Sequence, residues 1–237
     1  IQMPALLDTV DPDGLLEYSV VFTDRSLNHM SVKFQSVMRD ISSILKEVYA
    51  ADAVALVPGG GTYAMEAVAR QIAVNKSVMV LRNGWFSYRW SQILEAGSIP
   101  SSEVVMKARR SGNGPKAAFA PMQIDEVVTK ISADQPDVVF APHVETSSGI
   151  ILPDDYLKAI SDAVHSYGGL FVLDCIASGC VWVNMRATGV DFIISAPQKG
   201  WSASPSAGMV MMSQAGLTAV KNSQSNSFSV DLGKWLS

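Results

Sequence analysis

The near-continuous apolar run Ala53-Val54-Ala55-Leu56-Val57, broken at once by Pro58-Gly59-Gly60-Gly61-Thr62, constrains this chain more than any other stretch. A strand with one wet face alternates apolar and polar residues, so an unbroken run predicts burial on both faces of a parallel sheet. Residues 63–73 then resume with Ala64, Ala67, Val68 and Ile72 at helical spacing. The same alternation recurs along the chain. Residues 77–81, 104–106, 137–141, 170–173, 192–194 and 208–212 read as strands. Residues 31–50, 87–96, 124–132, 154–167 and those from about 214 read as helices. Such an order predicts an α/β fold of three layers, α/β/α, with a mainly parallel sheet and right-handed crossovers.

With 237 residues, 48% of them hydrophobic and 17% charged, the chain can bury the core of one large α/β domain. A net charge of −4 and a pI near 5.3 give no basic face for nucleic acid or an anionic membrane, and favour a small-molecule substrate. No apolar stretch approaches the ~20 residues of a membrane helix. The opening Ile1-Gln2-Met3-Pro4-Ala5 lacks the basic region and cleavage site of a signal peptide, so a cytoplasmic location is expected. Cys175 and Cys180 have neither disulfide-framework nor CxxC spacing and read as small buried hydrophobes. Residues 1–30, with a turn at Asp11-Pro12-Asp13-Gly14 and a strand candidate at Val20-Val21-Phe22, read as an N-terminal arm before a domain over 31–237. Residues 109–116, which include Arg109, Arg110 and Lys116, read as a mobile, solvated basic loop.

Chemistry-bearing residues gather just past the strand ends. The glycine turn before residues 63–73 reads either as a plain turn or as an anion cradle, in which bare backbone N–H groups and a helix N-terminus face a phosphate. It fits neither the dinucleotide fingerprint nor the Walker pattern. Asn83-Gly84-Trp85-Phe86-Ser87 offers an aromatic pair that serves either as core filler or as a stacking platform. His143-Val144-Glu145-Thr146-Ser147-Ser148-Gly149 gathers hydroxyls, an imidazole and a carboxylate; no second histidine at ligand spacing makes it a zinc site. Asp174 ends an apolar strand, where a carboxylate is costly without a cationic partner. Lys199, in Ser195-Ala196-Pro197-Gln198-Lys199-Gly200-Trp201, reads either as a solvated turn residue or as a desolvated, nucleophilic amine. One cofactor uses a cradle, a platform, a carboxylate and an amine together: pyridoxal 5′-phosphate.

These motifs, in this order over about residues 30–212, resemble the class V aminotransferases of PLP fold type I, especially the alanine–glyoxylate and serine–pyruvate or serine–glyoxylate branch. The resemblance implies that Gly60, Gly61 and Thr62 hold the cofactor phosphate, with Gln198 adding a donor. It implies that Phe86 stacks on the ring, with Trp85 one position away, that Ile176 closes the opposite face, and that Thr146 reaches the ring hydroxyl. Asp174 would pair with the pyridinium nitrogen, and Lys199 would form the Schiff base. The implied activity is ping-pong transfer from a small amino acid, alanine or serine-like, to glyoxylate or pyruvate, in a homodimer. Other fold type I reactions stay open: a phosphonate-directed transaminase, a cysteine desulfurase or a β-lyase. So does a PLP-binding fragment without turnover. Gln198 stands where desulfurases usually carry histidine, and no cysteine follows Cys180. The small C-terminal domain of such enzymes, with its carboxylate-binding arginine and the segment that reaches the neighbouring subunit's phosphate site, is expected to be missing from this chain.

Overall fold

The computed structural model describes residues 31–236, so the expected arm over 1–30 and its strand candidate lie outside the described residues. The chain divides into two compact units, Ile1–Ser43 and Ile44–Ser237. The described part of the first is the opening of α1 (Val32–Tyr49). There the Ser31 hydroxyl accepts the Phe34 N–H at 3.1 Å, satisfying one of the N–H groups a helix start leaves without a partner.

In the second unit the strands are β1 (Ala53–Pro58), β2 (Ser77–Arg82), β3 (Ser102–Lys107), β4 (Arg109–Arg110), β5 (Phe119–Ala120), β6 (Val138–Pro142), β7 (Val144–Glu145), β8 (Ile150–Ile151), β9 (Leu170–Asp174), β10 (Phe192–Ser195) and β11 (Ala207–Met212). The helices that follow α1 are α2 (Gly61–Ile72), α3 (Tyr88–Ala96), α4 (Ile124–Asp134), α5 (Asp154–His165), α6 (Met185–Thr188), α7 (Gln214–Lys221) and α8 (Leu232–Trp235). Seven strands join in the order β1-β11-β10-β9-β6-β2-β3. Neighbours from β10 to β3 are parallel, and all of β6 and β10 is buried, as strands covered on both faces must be. Helix α2 packs on β1, β10 and β11, and α5 on β9. The α/β reading with a mainly parallel sheet holds.

β11 runs antiparallel to both β1 and β10. Its direction follows from the connection: residues 196–206 contain no crossover helix, and a parallel neighbour would need one. The chain turns straight back, and Lys199 sits in that turn. In the parallel register Asp174 pairs with Pro142 on one side and Ile194 on the other. The carboxyl ends of β6, β9 and β10 therefore open together, at the end of the sheet where α/β folds bind ligands.

Two readings need correction. Residues 109–116 are not a wholly free loop: β4 pairs with β5, Arg109 bonds Glu126 through both terminal nitrogens at 2.9 and 3.0 Å, and Arg110 lies over the Phe119 ring. Two-residue strands are too short to display a period. Cys175 is buried as expected, whereas Cys180 is exposed on the turn after Ser178. Among the described residues, no helix is long and apolar enough to cross a membrane.

Candidate active site

A cavity of about 170 Å³ opens at the carboxyl ends of the strands. Gly61 and Thr62 line it from the start of α2, Phe86 from the turn after β2, and Thr146 from the turn after β7. Asp174 and Ile176 enter from the end of β9, and Gln198 and Lys199 from the turn between β10 and β11. Eight residues singled out from the sequence thus meet in one space. Gly60 is not in the wall; it is the residue preceding α2, in extended backbone. Trp85, the alternative platform, is 65% exposed, so Phe86 is the ring that faces the cavity. A larger hollow of about 590 Å³ between β3 and α4 is walled by Val104, Val105, Met106 and Met122. It brings together no comparable set of reactive groups, since its Lys130 is paired with Asp134.

Asp174 is 8% exposed. Its Oδ1 accepts the Ile176 N–H at 2.9 Å. Burial pushes its carboxyl up to about 6; the Ile176 N–H and the Arg89 charge oppose the rise, and Glu145 adds to it. Among the described residues no cation lies within ion-pair distance of it. A carboxylate raised by burial would be stabilised in its charged form by any cationic N–H brought beside it. Lys199 lines the cavity but is exposed, so the desolvation expected of its amine is not found.

Two residues past Lys199, Trp201 joins Tyr49 and Trp182 in an aromatic cluster, with Trp182 and Trp201 centroids 4.7 Å apart. The cluster anchors Trp201 at the end of the turn that carries the lysine. His143 does not face the cavity. It is 2% exposed, its N–H donates to the Asp174 carbonyl at 2.8 Å, and its Nδ1 lies 2.7 Å from the Ser178 hydroxyl. Burial lowers its pKa, and the Asp154 charge opposes this. Of its two readings, the satisfied structural histidine is the one observed.

Arg89 was missed by sequence reasoning. Its guanidinium lines the cavity, donates to Thr62 Oγ1 at 3.3 Å and lies 5.8 Å from the Phe86 ring centre. The available signal was its place three residues after Phe86, one turn along at the start of α3, on the side that returns to the platform. Glu145, noted only as part of a motif, is fully buried and bonded to the turn that carries Phe86.

The glycine turn also fits a close-packed ligand site. A Cβ on Gly61 would run into the Ile176 side chain, so only glycine leaves the cavity floor open between these walls.

The chain is similar to proteins of known identity. It is 26% identical over 216 residues to the soluble hydrogenase 42 kDa subunit of Anabaena cylindrica, covering 88% of this chain and 53% of that relative. It is 28% identical over 180 residues to the 2-aminoethylphosphonate–pyruvate transaminase of Vibrio vulnificus, covering 75% and 45%. The crystal structure of an alanine–glyoxylate aminotransferase from Nostoc sp. superposes with a TM-score of 0.74 at 25% identity, over 88% of this chain and 53% of that one. The chain spans about half the length of the curated relatives it matches. The family model for class-V aminotransferases matches residues 13–232, and the chain belongs to that family.

Proposed function

We propose that this chain is the cofactor-binding part of a transaminase that moves an amino group from a small amino acid, alanine or serine-like, to glyoxylate or pyruvate by a ping-pong route. One observation carries the reading: Lys199 and Asp174, an amine and a carboxylate in need of a cation, face one cavity beside the glycine turn. Members of the family use pyridoxal 5′-phosphate, and the donor set fits it. Bound there, the cofactor supplies an aldehyde for an amine to condense with and a protonated ring that spreads carbanion charge.

The residues divide the remaining work. Gly61 and Thr62 at the amino end of α2, with the Gln198 side chain, would take the phosphate oxygens, and Gly60, just before α2, would supply backbone beside them. Phe86 and Ile176 would cover the two faces of the ring, and Thr146 would bond its hydroxyl. Asp174 would accept the ring N–H and hold that proton in place. The Lys199 amine would hold the aldehyde and, when free, would serve as the general base that moves the amino donor's Cα proton. A homodimer agrees with the resemblance and with the exposed Tyr63 and Trp85, chain neighbours of the cavity residues Thr62 and Phe86.

Single-turnover release of the carbonyl product, a 2-oxo acid from alanine or serine and an aldehyde from 2-aminoethylphosphonate, tests the proposal. Release from alanine or serine, abolished by Lys199→Ala, is the expected result. Release from the phosphonate alone would move the substrate class toward that named for the Vibrio relative. A visible cofactor band with no release from any donor would overturn transamination and leave binding without turnover.

A further inference from the structure

We infer that Glu145 is a positioning residue that sets the ring-facing platform: its carboxylate fixes the backbone of the Asn83–Ser87 turn and through it the place of Phe86. The inference rests on the cofactor reading above.

The turn between β2 and α3 presents five successive N–H groups, and three side chains accept them all. Asn83 and Gly84 donate to the Ser87 hydroxyl at 2.9 and 3.1 Å. Trp85 donates to the Ser147 hydroxyl at 2.8 Å. Phe86 and Ser87 donate to Glu145 Oε1 and Oε2 at 3.1 and 2.8 Å. Both serine hydroxyls in turn donate to Glu145 at 2.6 Å. A run of converging N–H groups is an anion-binding concavity, and here the anion is the protein's own carboxylate.

Burial would push the Glu145 carboxyl up, but the two hydroxyls and the Ser87 and Phe86 N–H groups outweigh it and hold it below its usual value. Glu145 therefore stays charged through the neutral range. The fit is tight: a Cβ on Gly84 would strike both Ser147 Oγ and Glu145.

What the clamp controls is Phe86. Phe86 is 39% exposed, so core packing holds only part of it, and the backbone beneath it carries much of its placement. Glu145 also immediately precedes Thr146 in the chain, and so ties two walls of the cavity together through one carboxylate. A residue that only stabilised the fold would have no reason to converge on the one turn that presents an aromatic to the cavity.

A double-mutant cycle tests this. Glu145→Gln, Phe86→Leu and the double variant are titrated with pyridoxal 5′-phosphate, following the visible band of the lysine-bound cofactor, and their cofactor-free stability is measured separately. Glutamine keeps the shape but turns an N–H₂ toward N–H donors. Each single change is expected to weaken cofactor binding about tenfold, and the double variant no further than either, because the two act through one platform. Losses that multiply in the double variant, or an unchanged affinity in folded Glu145→Gln, overturn the inference. Should Glu145→Gln not fold, Ser147→Ala, which removes the Trp85 acceptor, is expected to weaken binding by a smaller factor, and Ser147→Thr to restore it; equal affinities for the two overturn it. Failure of the unaltered protein to bind the cofactor sinks the cofactor reading and the inference together, whereas normal binding with an indifferent Glu145→Gln sinks the clamp alone.

Discussion

Asp174 and Asp191 are the same residue type at opposite ends of one sheet, both almost wholly buried, and the protein treats them oppositely. Asp191, just before β10, takes the His165 ring at 2.8 Å and the Phe171 N–H at 2.9 Å on Oδ2, and the Ser213 hydroxyl at 2.9 Å on Oδ1. That single carboxylate ties the end of α5, the start of β9 and the start of α7. Asp174, at the end of β9, has the Ile176 N–H and a cavity in front of it. Three donors meet the carboxylate at the sheet's amino end, and one meets the carboxylate that faces the cavity. A fold can store an unmet electrostatic demand at a site only because other buried carboxylates are fully met.

The largest effect expected from breaking this contrast is at the satisfied end. Asp191→Ala leaves the His165 ring, the Phe171 N–H and the Ser213 hydroxyl without their acceptor, and should cost roughly 4 kcal/mol in chemical denaturation. A loss under about 1 kcal/mol would mean that the pin at the sheet's amino end is unimportant.

The next effect has the opposite sign. Because the Asp174 carboxyl is raised from 3.8 to about 6, the folded protein binds its proton more tightly than the unfolded chain between those two values. The stabilisation is complete below 3.8 and is lost as pH rises through about 6. The loss amounts to roughly 3 kcal/mol for the cofactor-free protein. Asp174→Asn should abolish that slope and make the cofactor-free protein more stable at neutral pH, while weakening the cofactor-dependent reaction. A stability profile that is flat from pH 4 to 7 in the unaltered protein would show that the carboxylate is not in want of a partner.

The contrast also explains what could be read from the sequence. The sheet was legible because burial on both faces leaves an unbroken apolar signature, as in Val138 to Ala141 and Phe192 to Ile194. The direction of β11 was not, since strand composition is blind to polarity and only the short 196–206 connection decides it. At the cavity, the glycine turn with Gly61 and Thr62, Asp174 and Lys199 were legible because each stands beside a strand end within a local motif, whereas Gln198 came only with the family resemblance. Arg89 reaches Thr62 across 27 positions and Glu145 reaches Ser87 across 58. Contacts of that range leave no spacing in the chain. The histidine ambiguity had the same origin: His143 needed Ser178, 35 residues on, to show it as structural.

The smallest expected effect sharpens the comparison at the satisfied end. The hydrogen bond to Asp191 raises the His165 pKa, burial opposes the rise, and the charges of Asp191 and Asp162 add to it while Lys158 subtracts. A raised folded value means that the charged pair contributes fully below the ordinary histidine value of about 6.5 and that its contribution fades as pH climbs through the folded value. The imidazole is partly exposed, 38% at its side chain, so solvent screens the pair and the effect stays within about 1 kcal/mol. His165→Gln keeps a donor for Asp191 but cannot titrate. Denaturation midpoints of the two proteins should therefore converge as pH rises from 6 to 9, with the unaltered protein ahead at the acid end. Parallel profiles would mean that Asp191 is satisfied by Phe171 and Ser213 alone, and that the imidazole is a bystander to the carboxylate it touches.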